Sequence, residues 1–195
     1  MINKTKLKLN EKTFNEFLPE NIANKSRLFF TPGDVAIQSA KWLTDNYEGK
    51  VLDIGAGIGK FCLFGAYFTK SEYFGIEMRQ HLVDIAVYMF EIFEIKNAKI
   101  IHGNITDFQF KDFNAFYMYN PFHENLVPHL RMDNNALLSP DFYCTYMKHT
   151  RSQLAMAKKG TKLVTYHGTN FEVPASYVKV EEFFDGDLKY WIKGK

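Results

Sequence analysis

The chain has 195 residues, 46% of them apolar, and a formal charge of +2, which fits one globular domain with a real core and excludes a field strong enough to bind nucleic acid or an anionic membrane by charge alone. No apolar leader opens the chain and no uncharged apolar run approaches the ~18 residues that span a bilayer. Cys62 and Cys144 lie in apolar sequence without a second pair to build a metal site or disulfide framework, so both read as packed thiols in a reducing compartment, and a cytoplasmic protein with neither metal nor membrane partner is expected.

Residues 1–28 are polar, with Lys4, Lys6, Lys8 and Lys12 crowding the start and a short helix expected from Thr13 to Leu18; they read as a solvated tail or a lid ahead of a single domain over 29–195. Phe29-Phe30-Thr31-Pro32 predicts a helix start, with Thr31 as cap, Pro32 at the first helical position and Asp34 three residues after the cap. Ala36, Ala40, Leu43 and Tyr47 then follow at helical spacing. Strands and helices alternate from there. Val51–Ile54 is the first strand and Ile58–Thr69 its helix; Tyr73–Glu77 is the second strand, followed by a helix with Leu82, Ile85, Ala86, Met89 and Phe93 on one stripe. Ala98–His102 and the near-continuously apolar Phe113–Tyr119 are strands three and four. His123–Ser139 breaks the rhythm and reads as a loop with at most one helical turn. Ser139-Pro140-Asp141 restarts a helix with Tyr143, Met147, Thr150, Leu154 and Ala157 buried; Gly160 stops it and Thr161–Tyr166 is strand five. Tyr177–Phe184, Asp185-Gly186 and Leu188–Ile192 read as a terminal hairpin. Such alternation predicts an α/β fold with a mostly parallel sheet between helical layers.

Val51-Leu52-Asp53-Ile54-Gly55-Ala56-Gly57-Ile58-Gly59 is the stretch that carries chemistry. A buried strand feeding a glycine-rich turn and a helix start presents backbone amides to a nucleotide-like ligand. A phosphate-binding P-loop needs a glycine where Ile54 stands and a Ser or Thr where Phe61 stands, so that reading fails twice. A dinucleotide fingerprint needs G-x-G-x-x-G, whereas the turn reads G-x-G-x-G behind an aspartate, which weakens a nicotinamide-dependent redox reading.

The stretch resembles the first motif of the Rossmann-like (class I) S-adenosylmethionine-dependent methyltransferases, and the resemblance extends over most of the chain. Glu77 closes strand two, 22 positions after Gly55, where that family places an acid that accepts both ribose hydroxyls, as a carboxylate can. His102-Gly103-Asn104-Ile105-Thr106-Asp107 is similar to the family's segment at the adenine, with Asn104, whose amide oxygen can accept from the adenine amino group, in place of the commoner aspartate. The family's seven-stranded sheet with an antiparallel last strand matches the terminal hairpin. The resemblance implies S-adenosyl-L-methionine as cofactor, contacted by Thr31, Asp53, Gly55, Ala56, Gly57, Gly59, Glu77, Met78, Asn104, Ile105 and Asn120.

Tyr119-Asn120-Pro121-Phe122 ends strand four at the ligand edge and resembles, with one proline fewer, the Asn-Pro-Pro-aromatic motif of methyltransferases that modify nitrogen. The resemblance implies that Asn120 and the Pro121 carbonyl orient a target nitrogen and that Phe122 stacks on the acceptor, whether small molecule, protein or RNA. A non-catalytic binding or scaffold protein on the same fold is the alternative. His123-Glu124 is no zinc-protease motif, because Val127 stands where the second histidine belongs. His167, just past strand five, reaches the ligand edge and can act as a base; with no partner visible in the sequence it reads as a bystander, as do His81 and His149.

Overall fold

The computed structural model describes residues 7–45 and 48–194; Lys4, Lys6 and Tyr47 lie outside them. The N-terminal stretch forms three short helices, α1 (Glu11–Glu16), α2 (Glu20–Ala23) and α3 (Ser26–Phe29). α1 begins earlier than the expected Thr13 because Asn10 and Thr13 form a reciprocal capping box, each side chain accepting the other's backbone N–H at 3.0 Å. Lys8 and Lys12 are exposed, yet Leu9, Phe14, Leu18 and Ile22 are buried in the main core. Residues 7–30 are therefore packed against the body and are not a solvated tail.

Helix α4 (Gly33–Leu43) starts one residue later than its sequence signal, and Thr31 does not cap it. Pro32 holds the cap position, while the Thr31 hydroxyl turns inward to the Tyr117 hydroxyl at 2.9 Å. The first N–H of α4 is met from a distance: Gly33 donates to Glu11 Oε2 at 2.9 Å, and Glu11 Oε1 takes Lys60 Nζ at 2.6 Å. One carboxylate thus caps α4 and neutralises a lysine that is only 2% exposed.

The remaining elements are β1 (Lys50–Ile54), α5 (Lys60–Phe68), β2 (Glu72–Glu77), α6 (Gln80–Ile92), β3 (Ala98–His102), β4 (Ala115–Tyr119), α7 (Pro140–Ala155), β5 (Lys162–Tyr166), β6 (Tyr177–Phe183) and β7 (Leu188–Lys193). They form a seven-stranded sheet in the order β3-β2-β1-β4-β5-β7-β6, and β7 alone runs antiparallel to its neighbours. The expected fold class is the observed one. β4 begins two residues late because Phe113 closes a turn onto the Phe110 carbonyl at 3.1 Å. Ser139 caps α7 as expected, accepting from Phe142 N at 3.2 Å, but the helix ends at Ala155, well before Gly160. The buried stripe of α7 is Tyr146, Met147, Thr150, Gln153 and Leu154. Cys144 falls off that stripe and is exposed, which corrects the expectation of two packed thiols; Cys62 is buried. The segment before α7 holds two 3₁₀ turns, His123–Asn125 and Pro128–Leu130.

Strand residues alternate between two cores, as period-two pleating requires. Val51, Tyr73, Tyr117, Val164 and Tyr190 pack with α1 and α4–α6, while Leu52, Phe116, Met118, Leu163 and Trp191 pack with α7 on the other face. The strand order reverses between β1 and β4, and there the two following turns nearly touch. Gly55, at φ 77°, has no room for a side chain, since a Cβ would lie 2.6 Å from the Pro121 Cβ. Gly59, at φ 67°, would place a Cβ 3.0 Å from Ile100, so α5 is held close to the sheet.

The shared carboxylate makes a prediction. Glu11→Ala leaves Lys60 buried beside Phe14 and Phe64 without its counter-ion, and should lower the unfolding free energy by roughly 1–3 kcal/mol in chemical denaturation, half the Glu11 side chain being solvated. Lys60→Met in the Glu11→Ala background should recover part of that loss, so additive effects of the two substitutions would contradict the pairing.

Candidate functional site

A cleft runs along the carboxyl ends of β1, β2, β4 and β5, which is where open α/β sheets take ligands. It has three connected hollows that share Gly55. The central one encloses ≈ 320 Å³ and is walled by Phe29, Phe30, Gly57, Glu77, Tyr119, Asn120 and His167. A deeper, largely apolar slot is lined by Ile76, Met78, Gly103, Asn104, Ile105, Phe122 and Tyr146. A small hollow between Thr31, Asp53, Ala56, Lys60 and Tyr119 lies on the other side of the glycine turn.

Asp53 ends up in that small hollow because alternate residues of β1 face the α5 side of the sheet, and among the described residues its polar side-chain neighbour at hydrogen-bond distance is Cys62, whose thiol approaches at 3.8 Å. Burial pushes its pKa up to about 8, with the Cys62 contact lowering it slightly and the nearby Glu77 charge raising it. Such a group is protonated at neutral pH and is ready to ionise beside a cation.

Glu77, at the end of β2, accepts Gly57 N at 3.0 Å through Oε2 and Arg79 N at 2.9 Å through Oε1. Burial holds its carboxyl above the usual range against the opposing pull of the Arg79 N–H, the Arg79 guanidinium and the Gly57 N–H. The glycine turn and the β2 acid are thus one bonded unit.

Asn104 sits in the slot with its amide the other way round from the sequence expectation. Its Oδ1 accepts from Thr106 N at 3.1 Å and from the Thr106 hydroxyl at 2.9 Å, which identifies that atom as the oxygen; Nδ2 faces the Tyr146 hydroxyl at 3.3 Å. The amide oxygen is therefore taken up within the turn, and the amide nitrogen donates to Tyr146. Phe122 is likewise displaced from its expected place. It is buried against Tyr146, ring centroids 5.3 Å apart, in the slot and away from the central hollow that Asn120 lines. The aromatic side chain beside Asn120 is Tyr119, whose hydroxyl burial pushes up to about 12. Asn120 itself takes φ 38°, a left-handed conformation that asparagine tolerates, and its carbonyl accepts from His123 N at 3.3 Å.

The sequence reading missed Arg79, which is 9% exposed and lines both the slot and the central hollow. Its guanidinium lies 3.7 Å from Glu77, 2.8 Å from Glu124 and 3.4 Å from Asp133, which in turn lies 3.0 Å from His81. Glu124 also accepts Met132 N at 2.9 Å, and Lys25 donates to the Met132 carbonyl. The segment 123–133 is thereby tied across the cleft to β2 and to the N-terminal helices. An arginine two residues past a ligand-edge acid was the available signal; its partners beyond Glu77, 45 or more positions away, were not. His149 is occupied by the Phe108 carbonyl at 3.0 Å. Among the described residues no group of three His, Cys, Asp or Glu is placed to hold a metal ion, and no helix is long and apolar enough to cross a membrane.

No family model and no curated protein matches the chain. Solved structures do. An RNA methyltransferase from Salinibacter ruber in complex with S-adenosyl-L-homocysteine aligns over 84% of this chain and 92% of its own, with TM-score 0.55 and 18% identity. A putative methyltransferase, yhhF, from Escherichia coli covers 84% and 86% with TM-score 0.57 and 18% identity. A putative RNA methyltransferase, PH1948, from Pyrococcus horikoshii covers 85% and 86% with TM-score 0.56 and 14% identity. Identities this low carry the fold and not the activity: the chain has the Rossmann-like class I methyltransferase fold.

Proposed function

We propose that the chain is an S-adenosyl-L-methionine-dependent methyltransferase that acts on a nitrogen acceptor from the cytoplasm. The observation that carries the reading is the contact of Gly55 with Pro121, which puts the glycine turn and Asn120 on opposite walls of one cleft. The donor set fits the cofactor. Asp53 suits its ammonium group, the Glu77 carboxylate its ribose hydroxyls, and the slot of Ile105, Phe122 and Tyr146 a flat apolar ring, with Asn104 Nδ2 donating to a ring nitrogen. The bound cofactor would supply a methyl group on a positively charged sulfur.

The chain's own residues have positional work to do. In-line displacement needs the acceptor held on axis and water kept out. Asn120 and the Pro121 carbonyl orient the acceptor nitrogen in this reading, and Tyr119 is the flat wall beside it. Residues 7–30 act as a cover, since Phe29 and Phe30 wall the hollow. The acceptor is a small molecule, a protein or RNA; the RNA methyltransferases among the structural neighbours make RNA the first to test.

Calorimetry should show binding of S-adenosylmethionine and S-adenosylhomocysteine by the wild type and at least a tenfold loss in Glu77→Ala. If neither ligand binds, the reading is wrong. Labelled methyl should pass to a cell-extract fraction and fall about a hundredfold in Asn120→Ala; binding with no labelled product would identify a non-catalytic module instead.

Asp53 gives a pH-dependent prediction whose sign is fixed. Its pKa is raised in the fold, so between pH 3.8 and about 8 the folded state holds a proton that the unfolded state has lost, and stability falls as pH rises through that window. Asp53→Asn should therefore stabilise the ligand-free protein by about 2–4 kcal/mol at pH 7 and by little at pH 4. The same proton should leave when the ammonium group binds: calorimetry at pH 7 in buffers of different ionisation enthalpy should report release of about one proton in the wild type and none in Asp53→Asn. Equal affinity and equal proton release in the two proteins would remove Asp53 from the site.

A further inference from the structure

The central hollow has a second wall that the proposed chemistry has not used. His167 follows β5 directly, as Asn120 follows β4, and like Asn120 it takes a left-handed backbone conformation, φ 50° against 38°. Left-handed conformations at non-glycine residues cost energy and persist where surrounding bonds enforce them. Here the enforcing group is Asp187. The His167 N–H donates to the Asp187 carbonyl at 2.8 Å, and His167 Nδ1 lies 3.3 Å from Asp187 Oδ1. The partner comes from the antiparallel strand: the β5–β7 register pairs Tyr166 with Leu188 and so brings the residue before β7 alongside the residue after β5. Lys189 of β7 pins the next loop residue, donating to the Gly168 carbonyl at 3.2 Å.

A carboxylate this close to Nδ1 favours the Nδ1–H tautomer of the neutral imidazole, with Nε2 as the acceptor nitrogen. The ring packs at a tilt against two aromatics, with its centroid 4.2 Å from that of Tyr166 and 5.6 Å from that of Tyr119. It lines the same hollow as Asn120 and Tyr119. Nucleophile positioner, aromatic wall and oriented base are therefore contributed by the ends of two adjacent strands.

We infer that His167, oriented by Asp187, is the general base of the methyl transfer, and that the acceptor is a conjugated N–H group such as an amide or an aromatic amine. This rests on the methyltransferase reading above. A free amine attacks with its own lone pair and needs no base, but a conjugated nitrogen has that pair delocalised and becomes nucleophilic as its proton leaves. In the step, the acceptor N–H proton passes to His167 Nε2 as the nitrogen pair forms the N–C bond to the methyl carbon. The C–S bond breaks with its electrons going to sulfur, leaving a neutral thioether, and the imidazolium is held by the Asp187 carboxylate until water takes the proton.

The titratable groups that face the ring are Tyr119 from β4, Tyr166 from β5 and Asp187; Lys189 is bonded to the neighbouring Gly168 carbonyl, and Glu77, Arg79, His123 and Glu124 line the same hollow. Burial raises both tyrosine hydroxyls, Tyr119 to about 12, so neither ionises in the range where an imidazole does.

The test uses the full chain and separates this inference from the reading beneath it. Long-range ¹⁵N–¹H correlation spectra, with His167 assigned by its loss in His167→Gln, should show the Nδ1–H tautomer in the wild type and a mixture in Asp187→Asn. An Nε2–H ring in the wild type, or one unaffected by Asp187→Asn, overturns the dyad. Transfer from labelled S-adenosylmethionine is then followed in extract of cells lacking the chain, resolved into RNA, protein and small-molecule fractions. His167→Gln should lower transfer about a hundredfold and Asp187→Asn about tenfold, with S-adenosylmethionine affinity unchanged by calorimetry in both. Wild-type transfer should fall on acidification, and His167→Gln should lose that fall. If His167→Gln transfers at the wild-type rate and pH profile, or no fraction is labelled although the cofactor binds, His167 is not the base. Failure of the wild type to bind S-adenosylmethionine overturns the methyltransferase reading itself.

Discussion

The close approach of Gly55 and Pro121 governs the molecule. Two parallel strands, β1 and β4, run side by side and their following turns diverge to opposite ends of the sheet, so the topology opens a cleft at those turns. With 2.6 Å separating an imagined Gly55 Cβ from the Pro121 ring, the turns cannot move together any further, and a side chain at 55 would force them apart. The width of the cleft, and with it the distance between whatever the glycine turn holds and whatever Asn120 holds, is set by backbone contact. Interiors this tightly packed transmit displacement and do not absorb it.

Around that contact the electrostatics are arranged unequally. Glu77 is compensated three times, by two backbone N–H groups and by Arg79, and so is held in one orientation. Asp53 has a thiol and little else, and its burial is correspondingly expensive to the ionised form. A carboxyl left this poorly satisfied weakens the fold above mildly acidic pH, and under the proposed function the cofactor's ammonium group would supply the missing partner. Stability and binding are opposed at this one residue.

The parts of this arrangement that were legible in sequence were those encoded by neighbours in the chain. The glycine turn, the acid at the end of β2, the strand–helix alternation and the terminal hairpin each depend on residues within a few positions of one another, so spacing alone carried them. Thr31 was misread as a cap because its capping signature is local, whereas the hydroxyl is claimed by Tyr117, 86 positions away. The same applies to Glu11, which caps α4 from 22 positions away, and to Asp187, invisible as a partner of His167 until the antiparallel pairing of β5 and β7 is known. Asn104 shows a subtler limit: the residue was identified, but the direction of its amide follows from Thr106 competing for the oxygen. Phe122 was placed by analogy with a motif one proline longer, and its ring packs in the second core.

The N-terminal helices connect these observations. A segment of 4- to 6-residue helices has too few intrahelical bonds to persist alone, so its order comes from Leu9, Phe14, Leu18 and Ile22 in the core and from Glu11 bridging the starts of α4 and α5. Both helix starts flank the glycine turn, and Phe30, which ends the segment, is the residue nearest an imagined Gly57 Cβ, at 3.4 Å. The cover over the cleft and the turn beneath it are therefore fastened to the same two helix ends. A charge change at Glu11 acts on both, and opening the cleft from the N-terminal side breaks an ion pair whose lysine is buried and whose carboxylate is half solvated. The opposite wall, segment 123–133, is fastened by Arg79 to Glu124 and Asp133, at side-chain exposures of 20% and 18%, where water competes for each bond. Each wall is therefore fastened by a buried cation whose carboxylates reach water, and the Arg79-tied wall lies beside Asn120.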